Sequence, residues 1–287
     1  MSKLIDKKTP GEMVVFSIAA VIIWTFVLSY IFSLLWAVMA SMKTSDEITM
    51  APFAIPKTWH FENFIDSLTL LSLDSGVNML GMIWNSLVLV IFGTIIAMAG
   101  NVLMAYALTK YDFFGKKAII IVNLIVMTLP VIGTSGAQYR LFSTLGFIDS
   151  PTILFAFISG YGANVLLLQA CFAGLPKEYM DAAFIDGAGN FRTMLQIMLP
   201  LASGTIAALS VRVAVKYWND TGFVLLFMPN MPTLATGIYL FKEVASHEAR
   251  KDILMAATVI SAIPPIVLYA VANKTMLSNL TIGGLKG

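Results

Sequence analysis

The sequence predicts an all-α integral membrane protein with about six transmembrane helices. The composition is 58% hydrophobic and 12% charged, with a mean hydropathy of +0.84, which leaves too little polar surface to cover a water-soluble globule of 287 residues. Apolar and polar residues do not alternate with a period of two, so helices remain as the structures that satisfy the backbone in lipid. The net charge of +2 is small and the basic residues are scattered along the chain, which disfavours a nucleic-acid partner.

Six apolar runs approach or exceed the roughly 20 residues that a helix needs to cross a bilayer. They cover residues 13–42, 83–108, 118–132, 152–175, 198–215 and 253–271. The first run is too long for the apolar part of a signal peptide and lacks a small-residue cleavage site, so we expect it to remain as an anchor. The third run is short because Pro130 and Gly133 interrupt it.

Lysines in the short connections predict the orientation of these spans. With six spans, one side of the membrane carries Lys3, Lys7, Lys8, Lys110, Lys116, Lys117, Lys274 and Lys286. This side is predicted to be the cytoplasm because positive charge is retained there. The predicted organisation is a cytoplasmic N-terminus at 1–12, a first transmembrane helix at 13–42, an extracytoplasmic loop at 43–78, a core at 79–272 and a cytoplasmic tail at 273–287.

A polar segment beginning at Pro176, PKEYMDAAFIDGAGNFRTMLQIMLPL, lies on the predicted cytoplasmic side between two apolar runs. Glu178 and Asp181 place negative charge in the first turns of a short helix, where the helix dipole favours it. Gly187 supplies a stop signal after about three turns. The segment is therefore predicted to form a short helix at the membrane surface.

One face of this short helix is built from small residues. Ala183 and Gly187 are four residues apart, as are Ala182 and Asp186, and the bulky Phe184 stands beside them. Small residues let the backbone of another protein approach closely. Shape alone leaves two interpretations open, which are a docking element for a partner and an interfacial helix that packs on lipid headgroups.

The spacing of the segment distinguishes between these interpretations. It resembles the E-A-A-x3-G-x9-I-x-L-P signature of permease subunits of binding-protein-dependent ABC importers, here as Asp181-Ala182-Ala183, Gly187, Ile197 and Leu199-Pro200. Asp181 stands where glutamate is usual, which keeps the charge and shortens the side chain by one methylene group. The segments 41–64, 85–117, 217–241 and 279–287 resemble the carbohydrate-uptake group of this family, of the maltose type, so the resemblance covers essentially the whole chain.

The resemblance implies a type I ABC importer permease fold and a set of partners. In such importers two permease subunits form the pathway, each docks through a coupling helix on one of two cytoplasmic ABC ATPases, and an extracytoplasmic solute-binding protein delivers the sugar. The chain is then a sugar-transport subunit and not an enzyme, in the bacterial plasma membrane with both termini in the cytoplasm. It binds no cofactor itself, because the partner ATPase uses ATP and Mg²⁺.

The coupling helix that the resemblance implies lies at residues 176–190. Its predicted docking residues are the small and acidic side chains of the segment, which are Glu178, Asp181, Ala182, Ala183, Asp186 and Gly187.

Other functional classes lack the residues that they need. The pair Gly115-Lys116 is followed by Lys117 rather than a hydroxyl residue, so it is not a phosphate-binding loop. The two histidines, His60 and His247, have no spaced partners for a metal site. None of the six runs contains Asp or Glu, which disfavours an ion-coupled secondary transporter. A permease of the same family for another polar solute stays open as the alternative.

Five residues near the outer end of the fifth run are the predicted substrate pathway. Arg212 and Lys216 share a helix face, with Tyr217, Trp218 and Asn219 beside them. One interpretation is snorkelling charges with an aromatic belt. The other is a lining for a hydroxylated ligand, because arginine offers several donors and aromatic rings stack on the apolar face of a sugar. The identity of the sugar stays open at this stage.

Overall fold

The computed structural model describes residues 10–72, 76–128, 133–247 and 250–280. Every secondary-structure element in these ranges is a helix, and one isolated bridge pairs Ser72 with Asn78. Most of the predicted N-terminal segment 1–12, the end of the predicted tail 273–287, and Pro130 lie outside the described residues. The chain divides into two compact units, one of Met1–Leu71 with Lys242–Ile260 and one of Ser72–Phe241 with Ser261–Gly287.

The first unit contains the N-terminal helices α1 (Pro10–Ala40), α2 (Ser45–Met50) and α3 (Glu62–Leu70). The apolar stretch Gly11–Ala40 of α1 has a mean hydropathy of 2.4, and none of its most apolar window is buried inside the chain. A helix that is apolar all round and exposed all round requires lipid or another subunit around it.

The connection after α1 is held by a buried lysine. Lys43 is 1% exposed, and its Nζ donates hydrogen bonds to the carbonyl oxygens of Ala51 and Pro52, both at 3.0 Å. The Nδ2 of Asn63 donates to the carbonyls of Ser41 and Lys43, both at 2.9 Å. These bonds fix the first part of the predicted extracytoplasmic loop as a folded segment.

The second unit is built around the long helix α4 (Met79–Lys110), which packs against α7 (Ala163–Ala173) and α11 (Ser203–Trp218). Met98, Leu168, Phe172 and Met198 belong to the buried core where these helices meet. The remaining elements of the chain are α5 (Lys116–Thr128), α6 (Ser135–Thr144), a 3₁₀ helix (Pro151–Phe157), α7 (Ala163–Ala173), α8 (Glu178–Ile185), α9 (Asn190–Thr193), a π-helical turn (Met194–Met198), α10 (Leu199–Leu201), α11 (Ser203–Trp218), α12 (Thr221–Phe227), α13 (Leu234–His247) and α14 (Lys251–Leu280).

Three helices in the described part of the chain are long and apolar enough to cross a membrane. They are Gly11–Ala40, Met79–Lys110 and Lys251–Asn273, which confirms the first, second and sixth predicted spans by length and composition. The fifth predicted span corresponds to two helical segments, Asn190–Leu201 and Ser203–Trp218, which meet at an angle of 78° and count as a fourth span if they cross together.

The third and fourth predicted spans are shorter than expected. α5 has 13 residues, and the rest of the third prediction, at 129–132, lies outside the described residues. The prediction of one helix over 152–175 was wrong. The 3₁₀ helix covers its beginning, residues 158–162 are irregular, and α7 adds 11 helical residues.

Side chains from α4 and α5 hold the irregular segment 158–162. The buried Asn123 accepts a hydrogen bond through its Oδ1 from the backbone N–H of Gly162 at 2.6 Å, and the Ser159 hydroxyl donates to Asn101 Oδ1 at 3.3 Å. A Cβ on Gly100 would overlap the carbonyl oxygen of Ser159, so α4 approaches this segment closely through a glycine. Irregular backbone at membrane depth needs such partners, or a cavity that it can line.

The bend before α11 has its origin at Pro200. Proline lacks an N–H and its ring clashes with the carbonyl four residues earlier, so it interrupts the regular ladder of an α-helix. The chain adapts by a π-helical turn at Met194–Met198, in which the Leu199 N–H donates to the Met194 carbonyl. The end of the sequence signature therefore forms a joint between two helical segments.

Candidate functional site

The short helix α8 is the structural form of the polar segment. The backbone N–H groups of Met180 and Asp181 donate to the Lys177 carbonyl at 2.9 and 3.1 Å, so the helix begins beyond Pro176. It ends at Ile185 and has eight residues, which is shorter than the three turns predicted within 176–190.

Gly187 explains this early end. Its φ is +77°, in the left-handed region that glycine adopts without steric cost. The Gly187 N–H donates to the Phe184 carbonyl at 3.1 Å, and the Ala188 N–H donates to the Ala183 carbonyl at 2.9 Å. This pair of bonds is a Schellman motif, which satisfies the last carbonyl groups of the helix. Gly187 therefore serves as the cap of α8.

The buried and exposed sides of α8 divide the predicted small-residue face between them. Ala183 is 4% exposed and lies inside the chain, and Met180 packs against the core of the second unit. Ala183 is thus unavailable for direct contact with a partner, because it lies on the side by which α8 rests on its own chain. The outward side carries Ala182, Phe184 and Ile185, of which Ile185 is 85% exposed.

The acidic residues predicted for docking surround this outward side. Glu178 and Asp181 lie in the first turn of α8, Asp186 follows its last residue, and all three are exposed. Exposed carboxylates around apolar side chains form a polar rim of the type that protein interfaces use.

In the loop after α4, Lys116 Nζ donates to Asp112 Oδ1 at 2.9 Å, and this hydrogen bond lowers the pKa of the Asp112 carboxyl.

A cleft of about 470 Å³ lies in the second unit. Three predicted pathway residues, Arg212, Lys216 and Tyr217, line it. An Nη2 hydrogen of Arg212 is donated to Asn164 Oδ1 at the start of α7. The structure therefore brings Arg212, one of the two predicted cations of α11, into contact with Asn164, which is 48 residues away in the sequence.

The cleft does not include the other two predicted pathway residues. Trp218 is buried, and its Nε1 donates to the Ser261 carbonyl at 3.1 Å. Asn219 donates its Nδ2 to the Val215 carbonyl of its own helix at 2.9 Å. Helical rotation explains Trp218, which lies on the side of α11 opposite residues 212, 213, 216 and 217. Asn219 follows the last residue of α11 and caps its end.

Other lining residues were not predicted as pathway residues. Asn101 and Asn164 are polar groups in apolar runs of the sequence, and hydrogen-bonded helix packing is the simpler explanation of such asparagines. Ser159 and Tyr161 were hidden because the sequence predicted a continuous helix there. The rings of Phe157 and Tyr217 contact each other with centroids 4.6 Å apart and planes tilted by 59°, which gives the cleft an aromatic wall.

A protein-family model covers the part of the chain that contains these features. The model described as "Binding-protein-dependent transport system inner membrane component" matches residues 101–277. This range includes α8, the joint at Pro200 and nearly all residues of the cleft.

Relatives align along most of the chain. The diacetylchitobiose uptake system permease protein NgcG of Streptomyces coelicolor is 27% identical over 92% of this chain and 86% of its own length. The maltodextrin transport system permease protein MdxG of Bacillus subtilis is 31% identical over 79% of this chain and 80% of its own length.

Solved structures share the fold. A chain in the crystal structure of a bacterial ABC transporter involved in the import of the acidic polysaccharide alginate has a TM-score of 0.74, at 20% identity, over 94% of this chain and 99% of that chain. This likeness shows the fold of an ABC importer permease. Together with the family model, which matches more than half of the chain, it shows that the chain belongs to the family of binding-protein-dependent transport system inner membrane components.

Proposed function

We propose that this chain is the membrane-spanning subunit of an ATP-driven importer that moves a sugar or oligosaccharide across the plasma membrane. Three relatives carry the names of the solutes diacetylchitobiose, maltodextrin and arabinooligosaccharides, which are all saccharides. The cleft supports this substrate class, because amide and hydroxyl groups can bond sugar hydroxyls while aromatic rings cover the apolar face of a sugar ring.

The observation that carries the proposal is the outward side of α8. Ile185 and Phe184 expose apolar side chains at the end of a helix whose buried side, through Ala183, rests on its own chain. Such a helix can transmit force in both directions, because it is fixed to the core and presents knobs to a partner. We assign the partner as one of two cytoplasmic ABC ATPases, which would use ATP and Mg²⁺.

The remaining assignments follow from this docking role. The side of the membrane that carries α8 is the cytoplasm, and both termini lie there. A second permease subunit completes the pathway, and an extracytoplasmic binding protein supplies the solute. This chain forms the gate of the pathway and transmits force to and from the ATPase, and the ATPase hydrolyses ATP.

Co-purification from the native membrane tests the proposal. A second permease, an ATPase and a solute-binding protein should accompany the chain, and the complex should hydrolyse ATP. Ile185→Asp places a charge at the predicted contact and should lower solute-stimulated hydrolysis at least about tenfold, since a buried unpaired charge is strongly unfavourable at an interface. Phe114→Asp provides a control at another exposed apolar residue, in the loop between α4 and α5 and outside the candidate spans.

The opposite result would be a chain that purifies alone and still moves solute down an ion gradient. Normal stimulated hydrolysis in Ile185→Asp, with a defect in Phe114→Asp, would place the coupling contact outside α8.

A further inference from the structure

The cleft of the second unit carries two cations that no carboxylate of the described chain pairs. Arg212 and Lys216 stand one helical turn apart on α11 and both line it. The ion pairs within the described residues are three, and none of them involves either side chain. The partner of Arg212 is the neutral amide of Asn164, and Lys216 Nζ lies 5.8 Å from the ring centroid of Tyr217.

A single carboxylate lines the cleft within the described part of the chain, and it already has a structural role. The Oδ1 of Asp220 accepts the backbone N–H of Phe223 at 3.0 Å and caps the start of α12. Two cations and one anion give the lining a formal charge of +1. Both side chains are exposed, so a ligand in the cleft can reach them, and ionisable groups without partners in a membrane protein mark candidate sites for a charged solute.

We propose that the cleft takes an acidic saccharide, in which a carboxylate or another anionic group is bound by Arg212 and Lys216. The proposal rests on the proposed function and names the substrate class of that site. The guanidinium suits this task because its planar set of donors matches the two oxygens of a carboxylate. Asn164 accepts one of its N–H groups and so fixes the orientation of the others.

The remainder of the cleft suits the sugar part of such a ligand. Asn101 is 1% exposed and faces the cleft beside the Ser159 hydroxyl, which gives a buried amide and a hydroxyl for ring hydroxyl groups. Tyr161 and Tyr217 supply aromatic surface on the same lining. The volume of about 470 Å³ lies within the range of roughly 300–1,000 Å³ of ordinary small-molecule sites.

A neutral sugar would use the aromatic and amide groups but leave both cations without a counter-charge. An anionic group therefore gains an interaction that a neutral sugar of equal size lacks. This difference predicts selectivity for charge, and it predicts that added salt weakens binding.

The test uses the complete purified complex, without its external binding protein, so that this chain's preference is measured directly. Equilibrium dialysis compares trigalacturonate and triglucuronate with the neutral maltotriose. At least one acidic trisaccharide should bind about tenfold or more tightly than maltotriose. Arg212→Gln with Lys216→Gln should abolish the difference, since hydrogen bonds between charged groups are stronger than those between neutral groups.

Two variants separate charge from folding. Arg212→Lys keeps the positive charge without the planar donors and should retain part of the preference. Arg140→Gln removes an exposed cation of α6, outside the cleft, and should leave both affinities unchanged. Each variant is compared by its elution profile and by the second permease that co-purifies.

Several outcomes would overturn the inference while leaving the transport function intact. One is equal affinity of the complex for acidic and neutral trisaccharides, or no acidic binding. Another is loss of the second permease in the Gln variants, which would assign the cations to carboxylates of that subunit. A third is retention of anionic phospholipid by wild type but not by the Gln variants. Failure of the proposed function would appear separately, as a wild-type chain without an ATPase.

Discussion

Gly100 controls the position of the irregular segment that borders the cleft. Its missing side chain leaves room for the carbonyl oxygen of Ser159, which a Cβ would overlap. Ser159 in turn donates to Asn101. A single hydrogen atom in place of a methyl group therefore decides where one wall of the cleft lies relative to α4.

Gly100→Ala should lower stability and uptake together. The added methyl group must push the backbone of residue 159 away, and overpacking of this kind costs about 1–3 kcal/mol. Thermal unfolding of the purified complex and uptake in vesicles measure the two effects. Gly136→Ala is the matched control, because nothing lies within 4 Å of a Cβ there. Equal behaviour of the two variants would show that the contact has no importance.

At the scale of elements, α8 depends on its cap. The Schellman motif at Gly187 satisfies carbonyl groups at the end of a helix of eight residues, which is too short to be stable by itself. The position also has open space around it, so a larger side chain would meet backbone strain and no steric contact within the chain.

Gly187→Asn and Gly187→Val should differ for this reason. Asparagine tolerates the left-handed region, whereas a β-branched side chain does not. Valine should therefore reduce solute-stimulated ATP hydrolysis several-fold, and asparagine should retain most of it. Hydrogen exchange of α8 checks that the helix end is the cause. If both variants lose hydrolysis equally while α8 keeps its protection, then direct contact at residue 187 is the explanation.

The connection between α1 and α3 depends on another local device. Lys43 donates to the carbonyls of Ala51 and Pro52, just beyond the end of α2. The same two carbonyls also accept from the Ala54 N–H and from Trp36 Nε1. A buried ammonium with two acceptors holds both ends of α2 in place, since the helix lies between residue 43 and these carbonyls.

Lys43→Met should loosen this connection. Methionine fills a similar volume but removes both hydrogen bonds that the buried ammonium donates, and a bond to a charged group contributes about 1.5–3 kcal/mol. Limited proteolysis should cleave residues 44–61 faster in this variant than in the wild type. In the control variant Lys57→Met, which changes an exposed side chain of the same connection, these residues should be cleaved at the wild-type rate. Unchanged cleavage in Lys43→Met would show that the lysine is dispensable.

At the scale of the whole molecule, the chain exposes more apolar surface than a monomer in water could. None of the most apolar window of α1 is buried inside the chain, and the most apolar window of α4 is only 33% buried. Lipid and neighbouring subunits must cover the remainder, which agrees with membership in a family of inner membrane components.

The orientation of the chain can be tested with its single cysteine removed. In a Cys171→Ser background, Met50→Cys and Phe114→Cys introduce thiols at positions that are 86% and 104% exposed. We expect a membrane-impermeant maleimide to label position 50 in intact cells and position 114 only after permeabilisation, because the lysine distribution predicts a cytoplasmic position for residues 110–117. The reverse pattern would invert the topology and move α8 to the outside.

Composition and spacing alone determined that this is a helical membrane protein, and the signature at 181–200 located α8. These features are local, because hydropathy needs only a run of residues and the signature needs only twenty. The joint at Pro200 was also local in origin, although its angle was not.

Only the tertiary structure decided which side of α8 faces outward and which residues form the cleft. Ala183 is buried because α8 rests on other parts of the chain, and the cleft joins Asn101 to Ser159 and Asn164 to Arg212, pairs that are 58 and 48 residues apart. The irregular segment at 158–162 reads as apolar helix in sequence. In the folded chain the Gly162 N–H donates to the Asn123 side chain of a distant helix, a partner that the local sequence does not reveal.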